Sequence, residues 1–371
     1  MFGGTFHPIH NGHLLLAEHA ADVLRLDRVL FVIDRIPPHK QISDGATTEQ
    51  RLNMLLLALE GSTRLLPEPM ELSREGKSYT FDTLTELKER FFDAELFFLM
   101  GSDMLRSFAS WYNPQGIADL ATLVCTERIG QHGAEAETAR QLETRFGARI
   151  VLLEGVSDLS STTVRNRIRD ALPITDLVPP AVETYIYRFG LYQPDEIVDM
   201  YEKLQAALSD KRMAHTTGVL KTALELAQAN GVDPKKARIA ALLHDCAKSL
   251  PASELFLRSS DPDPIPPVLH AEVGALIAKE QYGVSDPDIL RAIRLHTTGD
   301  ANMTALDKIV YLADMIEPSR DYPGVDAIRA EHDLDRATLL ALQRSLAHIK
   351  ERGFSVHPAT LRAINDLGGT V

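Results

Sequence analysis

The chain has 371 residues, of which 44% are hydrophobic and 25% are charged, and this composition is that of a globular protein with room for two domains. Its formal net charge of −13 argues against a long basic surface for duplex nucleic acid, and no segment is apolar for long enough to cross a membrane. The two cysteines, Cys125 and Cys246, lack the spacing of a zinc or redox motif. We therefore expect a cytoplasmic protein with structural thiols, without nucleic-acid or membrane partners, and homo-oligomerisation is left open.

Up to about residue 192, apolar runs alternate with helical stretches. Nearly continuous apolar runs, typical of strands buried on both faces, lie at 28–33, 94–100, 120–125 and 148–154. Stretches such as 14–26 and 48–60 have the spacing of amphipathic helices. Strands that alternate with helices predict a Rossmann-like, doubly wound parallel sheet.

From about residue 195 the strand signals stop, and apolar residues recur every three or four positions. A loop rich in Pro and Asp, residues 259–267, interrupts this pattern. We therefore expect two domains, an α/β domain over residues 1–192 and an all-α helical bundle over residues 195–371.

The stretch GGTFHPIHNGHL, residues 3–14, concentrates special residues at the start of the chain. Gly3 and Gly4 let the backbone approach a phosphate, and a helix that follows such a turn attracts anions. His10 and His13 are three residues apart, so both can point from one side of the helix start. Taken alone, the pattern is equally compatible with a glycine turn and two histidines that cap a helix.

Further polar groups follow the predicted strands. Lys40 ends PPHK, GSD occupies residues 101–103, and SSTTVR occupies residues 160–165. Doubly wound sheets bind ligands at the carboxyl ends of their strands. Ser160, Ser161 and Thr162 would supply hydroxyls, the start of the following helix would supply backbone amides, and Arg165 would supply a guanidinium. Together these groups would form a polyphosphate cradle.

With these motifs in order, residues 3–192 resemble the bacterial nicotinate-mononucleotide adenylyltransferases. Their superfamily of nucleotidylyltransferases has an HxGH signature, which is here His10-Asn11-Gly12-His13. The resemblance also covers PPHK, RLNML, ELSREGKSYTFDTL, GSD, the single tryptophan and SSTTVR. It implies transfer of AMP from ATP to nicotinate mononucleotide, with release of deamido-NAD and pyrophosphate and with Mg²⁺ accompanying ATP.

The resemblance also implies residue roles. The catalytic groups would be His10, His13, Lys40 and Arg165. The contacts to the two nucleotides would come from Gly3, Gly4, Thr5, Thr80, Gly101, Ser102, Asp103, Trp111, Ser160, Ser161 and Thr162. Trp111 would stack on the pyridine ring, with a core position as its alternative, and a helix cap is the alternative for Thr80.

Two features depart from the family's usual pattern. His7 stands where the family usually has Asp, in the motif GTFDP. Only Met1 and Phe2 precede Gly3, although a strand is expected there. We therefore expect the natural start to lie upstream of Met1.

The second half carries five motifs with histidine or aspartate on separate helices: MAHTTGV, LLHDCAK, LHAEVGA, LHTTGD and YLADMIEPSR. A lone histidine on an apolar helix is more often a core residue, but five motifs in this order favour a ligand set. Imidazole with carboxylate suits iron, manganese or another first-row divalent ion. The candidate metal ligands are His215, His244, Asp245, His270, His296 and Asp314.

Residues 195–371 resemble the HD-domain phosphohydrolases, and specifically the branch that cleaves diadenosine tetraphosphate symmetrically to two ADP. This resemblance implies two divalent metals, with iron expected, that activate water for attack on phosphorus. The first metal would be held by His215, His244, Asp245 and Asp314. The second would be held by Asp245, His270 and His296, with Asp245 as a catalytic bridge. Lys248 and Arg320 would contact phosphate, with surface salt bridges as their alternative.

The sequence thus predicts a bifunctional enzyme that acts on ATP, nicotinate mononucleotide and diadenosine tetraphosphate. Two alternatives stay open at this point. The HD half could be a nucleotide-binding regulatory module that does not hydrolyse, and the transferase could prefer nicotinamide mononucleotide.

Overall fold

The computed structural model describes residues 1–34, 45–74, 78–127, 129, 133, 135–261 and 264–370. The chain forms two compact units. Unit 1 consists of Met1–Asn166 with Ile174–Tyr185, and unit 2 consists of Arg167–Pro173 with Ile186–Val371. The division of function between residues 1–192 and 195–371 stays a prediction.

Unit 1 is built on a six-stranded parallel sheet. Its strands are β1 (Phe2–Gly4), β2 (Val29–Ile33), β3 (Leu65–Glu68), β4 (Leu96–Gly101), β5 (Ala121–Thr126) and β6 (Ile150–Leu153). Their order is β3-β2-β1-β4-β5-β6, which is that of the doubly wound dinucleotide-binding fold. The predicted parallel sheet is confirmed, and the crevice for a ligand is expected where the order reverses, at β1 and β4.

The helices in the first 188 residues connect and cover these strands. They are α1 (Asn11–Val23), α2 (Thr48–Leu59), α3 (Thr80–Arg90), α4 (Ser102–Ser107), α5 (Pro114–Leu120), α6 (Ala136–Phe146), α7 (Ser161–Arg169) and α8 (Pro180–Arg188). Because helices cover both faces of a doubly wound sheet, its central strands are apolar throughout. Phe31, Val32, Leu123 and Val124 are accordingly buried.

Strand β1 is short but is paired on both sides. Phe2, Gly3 and Gly4 lie in register with Phe31–Ile33 of β2. On the other side Phe2 is aligned with Leu99 of β4, whose backbone N–H donates to the Met1 carbonyl at 2.9 Å. The glycine turn therefore begins directly at the carboxyl end of a central strand.

The described residues of unit 2 contain no strand, which confirms the predicted helical region. The helices are α9 (Asp195–Ala207), α10 (Asp210–Ala229), α11 (Pro234–Leu243), α12 (Ala252–Arg258), α13 (Leu269–Gln281), α14 (Pro287–Leu295), α15 (Ala305–Ile316), α16 (Val325–Arg329), α17 (Leu334–Glu351) and α18 (Pro358–Asp366). Apolar positions spaced by three and four residues are buried along α10, α14 and α15, as the periodicity predicts. Among the described helices, none has both the length and the apolar character that a membrane span requires.

Candidate active sites

A cavity of about 720 Å³ opens in unit 1 beside β1 and β4. Its volume is in the range of small-molecule sites, about 300–1,000 Å³. Predicted site residues that line it are Gly3, Gly4, Thr5, His13, Thr80, Gly101, Asp103, Trp111 and Ser161. The fold thus brings together residues from the glycine turn, from the carboxyl end of β4 and from the starts of α3 and α7.

The two histidines of the HNGH motif form a stacked pair at the start of α1. The centroids of the His10 and His13 rings are 3.5 Å apart and their planes are inclined by 24°. The backbone N–H of His10 donates to Nδ1 of His13 at 3.2 Å, so a neutral His13 carries its proton on Nε2. Burial lowers the pKa of His10 to about 4, and burial together with His10 lowers the pKa of His13 well below its usual value. Both rings are therefore neutral near pH 7 and can donate hydrogen bonds without carrying charge.

The start of α7 is tied to the loop that precedes α1. The Ser161 hydroxyl donates to the Pro8 carbonyl at 2.9 Å, and Nη1 of Arg165 donates to the His7 carbonyl at 2.6 Å. Nη2 of Arg165 also donates to the Thr162 hydroxyl at 3.2 Å. His7, at the position where the resemblance expects Asp, thus contributes its backbone carbonyl to this junction. These contacts hold two segments of the predicted phosphate cradle against each other.

Other predicted residues occupy more local positions. The Ser160 hydroxyl accepts the backbone N–H of Thr163 at 3.1 Å, as a cap at the start of α7. Ser102 is buried, and its hydroxyl donates to the Thr126 carbonyl at 3.1 Å. Neither residue belongs to the cavity lining. Lys40 lies outside the described residues.

Trp111 has both a core side and a cavity side. Its ring packs against Phe98 and Phe108, with centroid distances of 6.0 and 5.7 Å, and Nε1 donates to the Ser107 hydroxyl at 3.1 Å. The same side chain lines the cavity, as does Thr80, which is the first residue of α3 and not its cap. The core alternative for Trp111 therefore does not exclude a ligand contact.

An acidic pair, Asp34 and Glu71, also lines the cavity, and sequence reasoning missed it. Burial and the nearby Glu71 raise the pKa of Asp34 to about 7, although the charge of Arg51 opposes the shift. Arg51 is buried and donates to the carbonyls of Thr5 and Asp34, at 2.7 and 2.8 Å. Arg51 thus joins the glycine turn to the end of β2. An arginine on the buried face of α2 was the available sequence signal.

In unit 2, the predicted metal ligands converge from five helical segments. The Nε2 atoms of His215 and His244 are 3.4 Å apart, and those of His270 and His296 are 3.3 Å apart. Oδ1 of Asp245 lies 3.2 Å from Nε2 of His270 and 3.5 Å from that of His296. Two candidate ligand groups result, with Asp245 in both: His215, His244 and Asp245, and Asp245, His270 and His296.

Asp314 and two basic residues complete this cluster. Oδ1 of Asp314 lies 3.0 Å from Nε2 of His215 and 2.5 Å from Nη2 of Arg320. The Lys248 ammonium donates to Nε2 of His270 at 2.8 Å and lies 3.5 Å from Oδ1 of Asp245. Both cations therefore lie against ligand residues and are not isolated surface charges.

Hydrogen bonds fix which ring nitrogen faces the cluster. Nδ1 of His244 donates to the Ala241 carbonyl, and Nδ1 of His296 donates to the Ile293 carbonyl, each at 2.7 Å. In a neutral imidazole the remaining Nε2 atom then carries a lone pair and no proton. Several lone pairs thus face one another and the buried Asp245 carboxylate.

The protonation states fit a cation at this place. Burial lowers the pKa of His244 to about 4. Burial alone would raise the pKa of Asp245, but His244, His270 and His296 outweigh it and hold that pKa well below its usual range. Burial likewise opposes protonation of His215, but hydrogen bonds with Asp314 and Glu317 raise its pKa to about 9. A cation between His215 and Asp314 would take the place of that proton.

Comparison with known proteins agrees with this division. The cytidylyltransferase-like family matches residues 1–167, and the HD domain matches residues 212–319. A protein of Mycoplasma genitalium named "Probable nicotinate-nucleotide adenylyltransferase/Ap4A hydrolase" is 34% identical over 328 residues, which cover 86% of this chain and 87% of that protein. The chain belongs to the nicotinate-nucleotide adenylyltransferase/Ap4A hydrolase family.

Single-function relatives match one half each of this family member. The nicotinate-nucleotide adenylyltransferase of Bacillus subtilis is 36% identical over 195 residues, covering 52% of this chain and 97% of that protein. The symmetrical bis(5'-nucleosyl)-tetraphosphatase of the same organism is 42% identical over 167 residues, covering 43% of this chain and 90% of that protein. Both resemblances that the sequence motifs indicated are thereby confirmed.

The HD match of this adenylyltransferase/Ap4A hydrolase family member contains the His and Asp cluster, which identifies a divalent-metal site in unit 2. The donor set fits, because imidazole nitrogens and carboxylate oxygens, which suit a first-row divalent ion, lie close together in both candidate groups.

Proposed function

We propose that the chain is a bifunctional enzyme. Its first half transfers AMP from ATP to nicotinate mononucleotide, and its second half hydrolyses diadenosine tetraphosphate symmetrically to two ADP. The observation that carries this proposal is that each unit holds its own constellation. A nucleotide-sized cavity with His13 lies in unit 1, and a cluster centred on Asp245 lies in unit 2.

In the transferase half, a phosphate oxygen of nicotinate mononucleotide attacks the α-phosphorus of ATP. The bond from this phosphorus to the oxygen of the β-phosphate breaks, and pyrophosphate leaves. No covalent enzyme intermediate is needed, so positioning and charge stabilisation supply the catalysis. The neutral rings of His10 and His13 would donate hydrogen bonds to phosphoryl oxygens as negative charge builds. Mg²⁺ that arrives with ATP would neutralise part of the triphosphate charge.

The remaining predicted residues would hold the two substrates. Thr80 and Trp111 would contact nicotinate mononucleotide, the latter by stacking on the pyridine ring. Gly101, Ser102 and Asp103 would contact nucleotide where β4 ends. The triphosphate would be bound by Gly3, Gly4, Thr5, Lys40, Ser160, Ser161, Thr162 and Arg165. Arg165 has the planar fork that suits phosphate, and its contact with the His7 carbonyl already sets its position.

In the hydrolase half, His215, His244, Asp245 and Asp314 would hold one metal, and Asp245, His270 and His296 the other. Iron is the metal we expect. When bound, two divalent cations supply positive charge and make a water molecule acidic enough to attack phosphorus near neutral pH. Lys248 and Arg320 would bind the polyphosphate oxygens and orient the central phosphoanhydride bond, which breaks to give two ADP.

Product analysis of the purified full-length chain tests both halves. The chain is incubated with diadenosine tetraphosphate, and separately with ATP and either nicotinate or nicotinamide mononucleotide, with Mg²⁺, Mn²⁺ or Fe²⁺. We expect ADP alone from the first incubation and deamido-NAD with pyrophosphate from the nicotinate incubation. AMP with ATP as hydrolysis products would contradict symmetric cleavage. Faster transfer to nicotinamide mononucleotide would contradict the proposed acceptor.

A further inference from the structure

The histidines of the unit 2 cluster are oriented in two different ways. His244 and His296 each donate Nδ1–H to a carbonyl three residues earlier in their own helical segment. Nδ1 of His215 instead lies 3.2 Å from Oε1 of Glu317. Glu317 follows α15 and is 102 residues away in sequence. One ring of the cluster is therefore anchored by a charged group from another segment.

Glu317 is itself held in place. Its side chain is buried, and the backbone N–H of Ser319 donates to its Oε2 atom at 2.8 Å. The Ser319 hydroxyl donates to Oε1, and Nε of Arg320 lies 3.7 Å from the same atom. A carboxylate with these contacts has little freedom to turn away from His215.

Helix α10 leaves room for this carboxylate at Gly218. A Cβ atom at this position would lie 2.5 Å from Oε2 and 3.2 Å from Cδ of Glu317. Gly218 is three residues after His215, on the same face of α10. A side chain here would push the carboxylate away from the histidine, so the glycine and the acidic residue are complementary.

We propose that Glu317 is a positioning residue that orients His215 and strengthens it as a ligand of the first metal. The proposal rests on the proposed hydrolase function of unit 2. A carboxylate that accepts the Nδ1 proton of a histidine fixes its tautomer, directs Nε2 at the metal and makes Nε2 more basic. A backbone carbonyl, the partner of His244 and His296, carries less negative charge. Loss of Glu317 should therefore weaken the metal held by His215 while the metal held by His270 and His296 stays bound.

The test measures metal binding by the full-length chain. Glu317→Gln keeps the size of the side chain and removes its charge. Ser319→Ala keeps the carboxylate and removes one of its anchors. Asp307→Asn is the matched control, because Asp307 is a buried carboxylate at the opposite end of α15 that accepts the Thr304 N–H at 2.7 Å. Each chain is loaded with Mn²⁺ or Fe²⁺, dialysed at defined free metal and analysed for metal content and hydrolysis.

We expect Glu317→Gln to lower the affinity for the first metal by about tenfold to a hundredfold, which is the usual effect of removing such a partner. The metal content of this variant should fall from two ions per chain to one when free metal is limiting. Excess metal should restore the kcat of the variant for hydrolysis. Ser319→Ala should shift metal affinity in the same direction by a smaller factor. Asp307→Asn should bind two metals with the affinity of the parent, whatever it does to thermal stability.

The outcomes separate this inference from the proposed function. If Glu317→Gln binds both metals as the parent does, or loses both equally, Glu317 does not act selectively through His215 and the inference is wrong. If Glu317→Gln does not fold, Ser319→Ala decides by the same two criteria. A parent chain that binds no metal and does not hydrolyse overturns the proposed hydrolase site, and the inference with it.

Discussion

The two candidate sites are assembled from different kinds of structure. In unit 1, the predicted groups come from turns that follow strands, and they surround a cavity of about 720 Å³. In unit 2, the groups come from helices, and their nitrogen and oxygen atoms approach one another within 3.0–3.8 Å. The cavity is sized for a nucleotide, whereas the helical cluster is sized for ions. The same chain thus shows one site that is completed by a large ligand and one that is completed by a small cation.

The two sites also differ in the charge of their acidic residues. In unit 1, burial keeps His10 and His13 neutral, and the pKa of Asp34 is raised to about 7. In unit 2, neighbouring imidazoles hold the pKa values of Asp245 and Asp314 well below their usual range. Negative charge is therefore reduced where a triphosphate is expected and retained where a divalent cation is expected. Each charge state matches the ligand proposed for its unit.

Substitution of Asp245 should give the largest separation of the two sites. Asp245 belongs to both candidate ligand groups, so Asp245→Ala should lose most bound metal and nearly all hydrolysis. Transferase activity should stay within about threefold of the parent, less than about 1 kcal/mol in the barrier, because it arises in the other unit. The measurement is a paired assay of both activities with elemental analysis of the metal.

Two results would contradict this expectation. Parallel loss of both activities would mean that the units depend on each other, and the two-enzyme interpretation would fail. Unchanged metal content with hydrolysis lost would remove Asp245 from the ligand set but leave the assignment of hydrolysis to unit 2.

Substitution of His13 should produce the opposite pattern. His13→Ala should lower adenylyl transfer by roughly a hundredfold or more, which is the usual cost of removing one preorganised donor from a charged transition state. Binding of ATP should change much less, because the lost hydrogen bond strengthens mainly in the transition state. Steady-state kinetics and equilibrium ATP binding check this, with hydrolysis of diadenosine tetraphosphate as the control. If His13→Ala kept the parent's kcat but bound ATP weakly, His13 would contribute to binding and not to catalysis.

The fold was largely predictable from sequence periodicity, and the exceptions have physical reasons. Buried parallel strands are continuous apolar runs, which is why β2, β4, β5 and β6 stand out. Strand β3 was missed because its four residues, LLPE, include a proline and a glutamate and lie at the edge of the sheet. The helices of unit 2 followed from their three-and-four spacing.

The sites were predictable where residues stand in motifs. The six metal-ligand candidates and the HNGH histidines were found in this way. Glu317 and the Asp34–Glu71 pair were missed. Glu317 and Glu71 stand within the motifs YLADMIEPSR and ELSREGKSYTFDTL, but a motif does not show which residue an acidic side chain contacts. Their roles depend on partners far away in sequence, as the contact between Glu317 and His215 illustrates. Only the folded structure shows such contacts.

Substitution of Trp111 should have a smaller effect on the transferase reaction than substitution of His13. A stacked aromatic pair is worth about 0.5–1.5 kcal/mol, so Trp111→Ala should raise the KM for nicotinate mononucleotide by about twofold to tenfold, and Trp111→Phe should raise it less. Trp111 is the single tryptophan of the chain, so the parent's fluorescence should respond to nicotinate mononucleotide and not to diadenosine tetraphosphate. Fluorescence that is unchanged at saturating nicotinate mononucleotide would restrict Trp111 to its core contacts with Phe98 and Phe108.

The smallest expected effect concerns the pH dependence of stability in unit 1. Burial and Glu71 raise the pKa of Asp34 from 3.8 to about 7, against the charge of Arg51. A carboxyl group with a raised pKa in the folded state stabilises that state at acidic pH, and this contribution is lost as the pH rises from about 4 through about 7. At alkaline pH the ionised Asp34 carboxylate is buried next to Glu71, which is unfavourable, whereas an amide at position 34 carries no charge at any pH.

Asp34→Asn should therefore gain stability relative to the parent as the pH rises. The difference in Tm between variant and parent should increase by about 2–4 °C from about pH 5 to about pH 8.5, which corresponds to about 1 kcal/mol in a domain of this size. Tryptophan fluorescence is the appropriate probe, because Trp111 reports on unit 1 alone. Glu71→Gln is the matched variant and should reduce this pH dependence only in part, since it removes the neighbouring charge but leaves the Asp34 carboxyl group buried. A Tm difference that is equal at the two pH values would contradict a raised pKa of Asp34 in the folded state.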